Sequence, residues 1–363
     1  MREILALLLI LTIGASAFGQ YKTTMNAFYL SPLIPSADLV RAYPLWNEDK
    51  EDGLLISTVF DESDNAGDLL GIGAMVDIPS WDLANGPNGR AVIYQSGVSG
   101  LQNTADFTAK DIFVLAKFDG TAFAAYHGLI SGDTSPGVLV SDNTGTKFAD
   151  LATGTVMYEK GPTTYTEATM EAPMNAWGLC RVYKSDAWAM DGIQVGEDRA
   201  FTARKWDGWI GDVFIYSAIK TEAEKRSIRL YYDLKFNLWL TDGATLYFPD
   251  QEATGIRYFK YDAEPLPWDN VTVSNEYEDG GRSFNTVTDD PPRFWTIEFT
   301  GLTPEQTEVF DAFNDAARRS RTFSFVDKEG TTWTNVRIEN YSRSHEGHKS
   351  WVKAVKFRLV KYP

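Results

Sequence analysis

The sequence has little of several residue types, and each shortage excludes a class of protein. A single cysteine, Cys180, cannot form an internal disulfide or supply a zinc site built from several thiolates, and it leaves the redox compartment open. Only 34 lysine and arginine residues stand against 50 aspartate and glutamate residues, which gives a formal net charge of −16. A chain this acidic repels polyphosphate, so general nucleic-acid binding is excluded as a first hypothesis.

Long apolar runs are also missing, because no stretch reaches the roughly 18 apolar residues of a stable membrane span. The longest run lies at the start, where Met1-Arg2-Glu3 precedes the apolar segment 4–14 and Ala15-Ser16-Ala17. A short charged start, an apolar core and an A-x-A site are typical of a secretory signal. We therefore predict a signal peptide over residues 1–19 and export, with a membrane anchor or a misassigned start as the alternatives.

The composition is that of a folded, β-rich protein. Hydrophobic residues make up 44% of the chain and include 11 tryptophans, which supplies the apolar area that cores need and argues against disorder. The 29 glycines and 15 prolines suit many turns between short strands. A length of 363 residues is about twice that of a usual domain, so we predict two domains.

From Leu39 to Leu240, short apolar runs alternate with turns rich in glycine, aspartate and asparagine. This pattern predicts an antiparallel β-sandwich, within a first domain of residues 24–240. The clearest predicted strands are 110–118, 177–183 and 209–216. A helix should follow and close the edge of the domain, since Thr221 and Glu224 have the spacing of a capping box. Turn residues after Leu240 mark the domain boundary.

Residues 241–363 predict a small α+β domain. Trp295, Ile297 and Phe299 alternate with polar residues, so one face of their strand should be buried. The next segment begins with Thr303-Pro304, an N-cap residue followed by proline at the first helical position, and predicts a helix. The apolar stripe of this helix consists of Val309, Phe310, Phe313 and Ala317. A hairpin and a final strand are predicted over 322–326, 333–338 and 351–360.

Four segments of the first half carry a family resemblance. They are Val40–Trp46, Phe60–Gly67, Met174–Trp177 and Gly208–Ser217. These segments resemble laminin G-like domains of the concanavalin A-like jelly-roll class, which implies a mostly β, antiparallel jelly-roll β-sandwich that binds glycans or proteins. Ser185–Gly192 departs from the family, because it stands where the family has a valine-asparagine-glycine hairpin. The role of this rim loop therefore stays open.

Four segments of the second half carry another resemblance. They are Phe294–Phe299, Leu302–Glu305, Phe323–Asp327 and Gly330–Trp333. In this order they resemble small domains of tailed-phage distal-tail and minor tail proteins, which implies an assembly setting rather than a chemistry. Virion proteins normally assemble in the cytoplasm, which conflicts with a secretory signal. A virion tail and a secreted or extracellular location therefore both stay open.

Catalytic motifs are scarce. Jelly-roll glycosidases need two carboxylates close together on one strand, yet the sequence has no E-x-D-x-E or E-x-D-x-x-E string. Glu276 and Glu278 share a strand face, but they precede the turn residues Asp279-Gly280-Gly281, which favours solvated hairpin charges. No serine lies in a G-x-S-x-G motif, and His127 is the only histidine of the first domain. We predict that the protein is not an enzyme.

Oxygen ligands cluster in one loop of the first domain. The cluster comprises Asp61, Asp64, Asn65 and Asp68. Carboxylate and amide oxygens suit Ca²⁺, so we predict a calcium site there, although the spacing is not that of an EF-hand. The alternative is a turn rich in aspartate and asparagine that binds no metal. His345 and His348 lack the partners of a zinc site and are predicted to be exposed turn residues.

Aromatic residues beside polar ones give the best prediction of a ligand site. The candidates are Trp81, Asp82, Asn85, Trp188, Trp206 and Asp207. Such pairs offer a flat apolar face and hydrogen-bonding neighbours, the combination that a sugar ring needs. The alternative is that each tryptophan belongs to the core of a β protein.

Together these patterns predict a non-catalytic recognition or structural protein, associated with a phage tail or a cell surface. Its predicted partners are a surface glycan or host receptor and other tail proteins, with no nucleic acid and no stable membrane span. A secreted bacterial glycan-active enzyme with an unrecognised carboxylate pair, or a secreted lectin-like adhesin, is the alternative.

The domain boundary predicts that a fragment of residues 245–363 folds alone. Its helix, hairpin and final strand should close a core of about 100 residues, which is the size of a small domain. Thermal unfolding followed by circular dichroism should show one cooperative transition. A gradual loss of signal on heating would contradict the boundary.

Overall fold

The structure is a computed structural model that describes part of the chain. The described residues are 33–45, 51–63, 65, 67–72, 78–96, 98, 100–119, 126–134, 137–141, 148–149, 155–160, 163–166, 176–199, 204–236, 238, 246–249, 260–264, 272–276, 282–286, 293–300, 302, 304–318, 322–327, 330–345 and 352–361. The predicted signal peptide over 1–19 lies outside them.

Contacts divide the chain into two compact units, with the main break between residues 242 and 243. The first unit holds the described residues within 35–221 and 235–242, and the second holds those within 32–34, 222–234 and 243–363. The helix predicted to close the edge of the first domain is thus grouped mainly with the second unit.

The first unit is built from short antiparallel strands. In chain order they are β1 (Leu39–Tyr43), β2 (Thr58–Val59), β3 (Leu69–Gly71), β4 (Ser80–Asp82), β5 (Val92–Ser96), β6 (Leu101–Asn103), β7 (Phe107–Phe118), β8 (Gly128–Ser131), β9 (Gly137–Ser141), β10 (Phe148–Ala149), β11 (Thr155–Lys160), β12 (Thr163–Thr166), β13 (Gly178–Met190), β14 (Ile193–Val195) and β15 (Asp207–Tyr216). A single 3₁₀ turn at Pro87–Gly89 links β4 to β5.

These strands form two sheets. The first has the order β12-β11-β13-β7-β15-β5-β4, with β1 also paired to β15, and the second has the order β10-β9-β8-β14-β6-β3-β2. One apolar core draws side chains from both sheets, among them Ile112, Val114 and Ile210 from the first and Leu101, Leu129 and Val195 from the second. The prediction of a mostly β chain with antiparallel sheets is therefore confirmed.

The longest apolar run of the unit forms β7, which lies between β13 and β15. Its side chains are buried on both sides of the sheet, which explains why the sequence shows a nearly continuous apolar run instead of a strict alternation. Cys180 lies on β13 opposite Val114 and is fully buried, and this burial raises the pKa of its thiol. The cysteine is thus an inert core residue.

Two buried ion pairs tie this sheet to its surroundings. Arg181 donates two hydrogen bonds to Asp111, at 2.8 and 2.7 Å, across the β7–β13 pair. Lys235 donates to Asp212 at 2.6 Å and to the carbonyl of Leu45 at 2.8 Å. Breaking one partner of such a pair typically costs about 3–5 kcal/mol, because the other charge stays buried alone.

Helix α1 spans Glu222–Phe236 and begins directly after Thr221, as the capping-box spacing predicts. Ile228, Tyr231 and Tyr232 form the expected apolar stripe, and all three are buried. Within the described residues, no helix is long and apolar enough to cross a membrane.

The second unit contains eight described strands and a second helix. They are β16 (Leu246–Tyr247), β17 (Lys260–Glu264), β18 (Thr272–Glu276), β19 (Arg282–Thr286), β20 (Arg293–Thr300), α2 (Pro304–Arg318), β21 (Phe323–Val326), β22 (Thr332–His345) and β23 (Val352–Lys361). Six strands form a sheet of order β16-β21-β22-β23-β20-β17, and β18 pairs with β19. All of these pairs are antiparallel except β16 with β21. His345 ends a strand, and His348 lies outside the described residues.

A cluster of phenylalanine rings fills the core of the second unit. Phe310 lies 4.3 Å from Phe299, measured between ring centroids, and Phe313 lies 5.1 Å from Phe323. Phe248 contacts both sheet and helix rings. The predicted helix and its buried stripe are confirmed, whereas the predicted N-cap Thr303 lies outside the described residues.

Truncation of Phe313 tests this core. Phe313→Ala should lower the free energy of unfolding of the second unit by about 3–5 kcal/mol, because the fully buried ring leaves a cavity. Phe294→Ala is a matched control on β20, since Phe294 is only half-buried, and it should cost about 1 kcal/mol. Urea denaturation measures both values, and a loss below 0.5 kcal/mol for Phe313→Ala, well under the cost of any buried phenylalanine, would contradict the assignment.

Candidate recognition site

The three predicted sugar-stacking tryptophans lie inside the sandwich. Trp81 on β4 is 4% exposed, Trp188 on β13 is 3% exposed and Trp206, just before β15, is fully buried. All three belong to the core, where Trp206 meets the ring of Phe118 edge-on at 5.3 Å. A ring enclosed in this way offers no face to a sugar. The structure therefore corrects the stacking role predicted for these tryptophans.

The segment Ser185–Gly192 is also not the rim loop that the sequence suggests. Residues 185–190 continue β13, and a register shift between Tyr183 and Trp188 interrupts its pairing with β7. This shift lets Trp188 point into the core opposite Ala109. The chain turns only at Asp191 and Gly192, where Gly192 has a φ of 106° that favours glycine.

Asp82 and Asn85, two of the predicted polar ligands, contact each other. Asp82 accepts hydrogen bonds from the backbone N–H and the side-chain amide of Asn85, each at 2.8 Å, and from the indole of Trp209 at 2.8 Å. Burial alone would raise the pKa of Asp82, but the hydrogen bonds from Asn85 and Trp209 oppose it and lower this pKa. Asp207 begins β15 opposite Ser96 and is partly exposed. A ligand role for these three polar residues stays a prediction.

The predicted calcium loop is organised by N–H donors around Asp61. One carboxylate oxygen of Asp61 accepts from the backbone of Ala42 and Ser63, both at 2.9 Å, and the other accepts from Gly67 at 3.0 Å. The Nε of Arg41 lies 3.7 Å from the same side chain. These three donors occupy most of the acceptor positions of the Asp61 carboxylate, and the guanidinium supplies positive charge.

The other members of the predicted metal set have similar roles. Asn65 points its amide nitrogen toward the carbonyls of Leu39 and Val40 at 3.3 Å, and Asp68 accepts from the backbone of Asp61 at 2.9 Å. Asp64 lies outside the described residues. In the part of the chain that the structure describes, no group of three or more His, Cys, Asp or Glu side chains has the arrangement of a metal site.

An open cleft of about 410 Å³ lies at the end of the sandwich where β7 begins and β13 ends. Its lining residues are Asp106, Phe107, Thr108, Ala189, Met190 and Asp191. The register pairs Phe107 with Met190, of which Phe107 is half-buried and Met190 is buried in the core. A volume of this size falls in the range of small-ligand sites, which is about 300–1,000 Å³.

The cleft is held in place from both sides. The Phe107 ring is half-buried against the sandwich core, and the Arg41 guanidinium lies 4.9 Å from its centroid. Asp191 accepts hydrogen bonds from the backbone N–H of Asp133 at 2.9 Å and from the backbone and hydroxyl of Thr134. An apolar surface and polar edges are therefore positioned before any ligand arrives.

Sequence reasoning missed this cleft. In the sequence, Asp106-Phe107-Thr108 places an aromatic residue between two polar residues where the longest apolar strand begins. By itself this pattern indicates only the end of a strand. The other wall comes from Met190, which the sequence places far away in another strand.

A scan of protein-family models finds no match, and a search of the curated proteins finds none either.

Asp61→Asn tests the structural role of the loop. The substitution exchanges an oxygen acceptor for an N–H donor in a buried network, so the free energy of unfolding should fall by about 2 kcal/mol. Asp106→Asn is the matched control, because Asp106 is exposed, and it should change stability by less than about 0.5 kcal/mol. Chemical denaturation followed by tryptophan fluorescence measures both.

A melting curve of the wild-type protein with calcium, and another with a chelator, tests the calcium prediction directly. A bound cation raises the melting temperature by mass action. Because Asp61 is engaged by N–H donors, we expect equal melting temperatures. A higher melting temperature with calcium than with the chelator would contradict this expectation.

Proposed function

We propose that the protein is a non-catalytic recognition protein that presents a glycan-binding β-sandwich on a phage tail or a cell surface. The cleft at the start of β7 carries this proposal. It places the half-buried ring of Phe107, which packs beside the buried Met190, near the carboxylates of Asp106 and Asp191 and the hydroxyl of Thr108. An apolar surface with a few polar groups at its edge is the general composition of a small-ligand site.

A sugar ring suits this composition. Its C–H face would pack on the exposed part of the Phe107 ring, and its hydroxyls would donate to Asp106 and Asp191. Stacking on an aromatic ring and charge-assisted hydrogen bonds are each favourable, and the rim position lets a long glycan extend into solvent. This arrangement supports binding of a surface polysaccharide better than capture of a small metabolite in a closed cavity.

The same carboxylates are poor candidates for hydrolysis. Asp191 already accepts backbone N–H groups from Asp133 and Thr134, which fixes it as the organiser of a turn. Glycoside hydrolysis needs a second carboxyl group across the scissile bond, with one of the two held protonated as an acid. A binding role therefore requires less of these residues than catalysis does.

The second unit supports the proposed location of the protein on a phage tail or a cell surface. Its sheet and helix α2 form their own phenylalanine core, and the segments that resemble tail proteins lie in β20, α2, β21 and the turn before β22. A unit of this kind would attach the chain to an assembly while the sandwich displays its cleft.

Binding of the full-length protein to an array of immobilised glycans tests the proposal. The wild type should bind at least one surface glycan, and Phe107→Ala should weaken that binding by about tenfold or more, because it removes the ring from the cleft. Phe107→Leu keeps apolar volume but loses the flat face, and it should give an intermediate loss.

Phe60→Ala is the matched control, because Phe60 is 52% exposed and does not line the cleft. It should leave binding unchanged, and the melting temperature of each variant shows whether the sandwich stays folded. Equal binding by folded Phe107→Ala and wild-type protein would overturn the assignment of the cleft. Release of reducing sugar from a bound polysaccharide would support a glycan-active enzyme instead.

A further inference from the structure

Two cations of the second unit lie side by side without a carboxylate partner. Arg293 on β20 and Lys361 on β23 stand directly opposite each other in the strand pairing, and Arg293 is exposed while Lys361 is half-buried. Neither side chain forms an ion pair or a hydrogen bond within the described part of the chain. Like charges at opposite positions destabilise a sheet, so an anion that neutralised this pair would bind favourably.

The two cations share one aromatic ring. The guanidinium carbon of Arg293 lies 4.4 Å from the centroid of Trp333, and the Nζ of Lys361 lies 5.3 Å from it. The half-buried indole donates its N–H to Asp327 at 2.8 Å, which fixes the plane of the ring. The ring attracts both cations but has no net charge. Even with Asp327 counted, the group therefore keeps a positive charge.

A β-bulge determines where Trp333 points. Trp333 lies opposite Phe325 and Val336 lies opposite Phe323, so β22 has one residue more than β21 between these two pairs. Within this stretch Asn335 has a φ of 59°, a left-handed conformation that asparagine tolerates better than most residues. Bulges are frequent beside functional sites, where they redirect a side chain. Here the bulge brings the indole to the two cations.

From this we infer that Arg293, Lys361 and Trp333 form a docking site for an extended acidic segment of a partner protein. The inference does not rest on glycan binding by the first unit. Side chains of residues i and i+2 in an extended segment lie on one face, about 7 Å apart, a distance that the two long cationic side chains can span. Tryptophan and arginine are also enriched among the residues that contribute most to protein interfaces.

The overall charge favours a short segment as the partner. The chain has a formal net charge of −16, so as a whole it repels nucleic acids and long anionic polysaccharides. A second copy of the chain is repelled in the same way. A short segment is attracted by the two nearby cations alone, because physiological salt screens charges that are more than about 8 Å away.

Titration of the full-length protein with two labelled ten-residue peptides tests the inference. One peptide alternates glutamate and threonine, and the other has glutamine in place of glutamate. One exposed ion pair contributes a factor of about two to five in affinity, so the glutamate peptide should bind about five- to tenfold more tightly at low salt. About 0.5 M salt should remove most of the difference. Non-specific attraction cannot produce this preference, because the acidic chain repels an acidic peptide.

Neutral variants locate the site. Lys361→Gln should reduce the preference to about two- to threefold, and the double variant Arg293→Gln, Lys361→Gln should abolish it, because each removes one ion pair. Lys356→Gln is the matched control, since Lys356 is an exposed lysine five residues away on β23 and therefore on the opposite face of the sheet. It should keep the full preference, and melting temperatures show whether each variant stays folded.

Equal affinity of the wild type for the two peptides would overturn the docking site, as would binding of neither. A loss of preference in folded Lys356→Gln as large as in Lys361→Gln would also overturn it, because the attraction would then not be local to Trp333. The outcome is separate from that of the glycan array, since Phe107→Ala tests the first unit and Lys361→Gln tests the second.

Discussion

The pairing of β7 with β13 is the interaction on which most of the first unit depends. Asp111 lies in the middle of β7 with no exposure, and Arg181 on β13 holds it through two parallel hydrogen bonds. A slip of one residue between the strands would turn one of these charges to the other face of the sheet and leave both without their partner. The desolvation penalty of a lone buried charge therefore disfavours every register but one.

That register also creates the cleft. With Asp111 opposite Tyr183, the irregular stretch of β13 brings Trp188 opposite Ala109 and Met190 opposite Phe107. Trp188 and Met190 then belong to the core, while the half-buried Phe107 lies at the end of the sandwich and lines the cleft. The geometry of the cleft thus follows from strand pairing and depends on the ion pair several residues away. Sites held by paired strands keep their geometry better than sites on loops.

Burial, rather than residue type, separates the aromatic residues that pack from those that can bind. Trp81, Trp188 and Trp206 combine large apolar area with inward positions, so the hydrophobic effect places them in the core. Phe107 occupies the first position of its strand and is covered on only part of its surface. The acidic loop is a similar case, because the Asp61 carboxylate accepts hydrogen bonds from backbone N–H groups and so stabilises the fold.

Local patterns in the sequence determined the class of each unit. Alternation, capping residues and turn residues are short-range signals, and they predict the antiparallel strands, the helix starting at Pro304 and its buried stripe of Val309, Phe310, Phe313 and Ala317. The composition also shows an acidic chain with one cysteine. These properties depend on neighbours within a few residues, which a sequence displays directly.

Only the tertiary structure decided which residues meet. Phe107 and Met190 are far apart along the chain and become neighbours through antiparallel pairing, and no local pattern encodes that register. The same holds for the burial of Trp206 and for the donors around Asp61, since each depends on segments distant in sequence. The sequence gives the chemistry of each residue, but the exposure of a side chain and its contacts depend on how the sheets pack. Exposure and contacts decide where a ligand can bind.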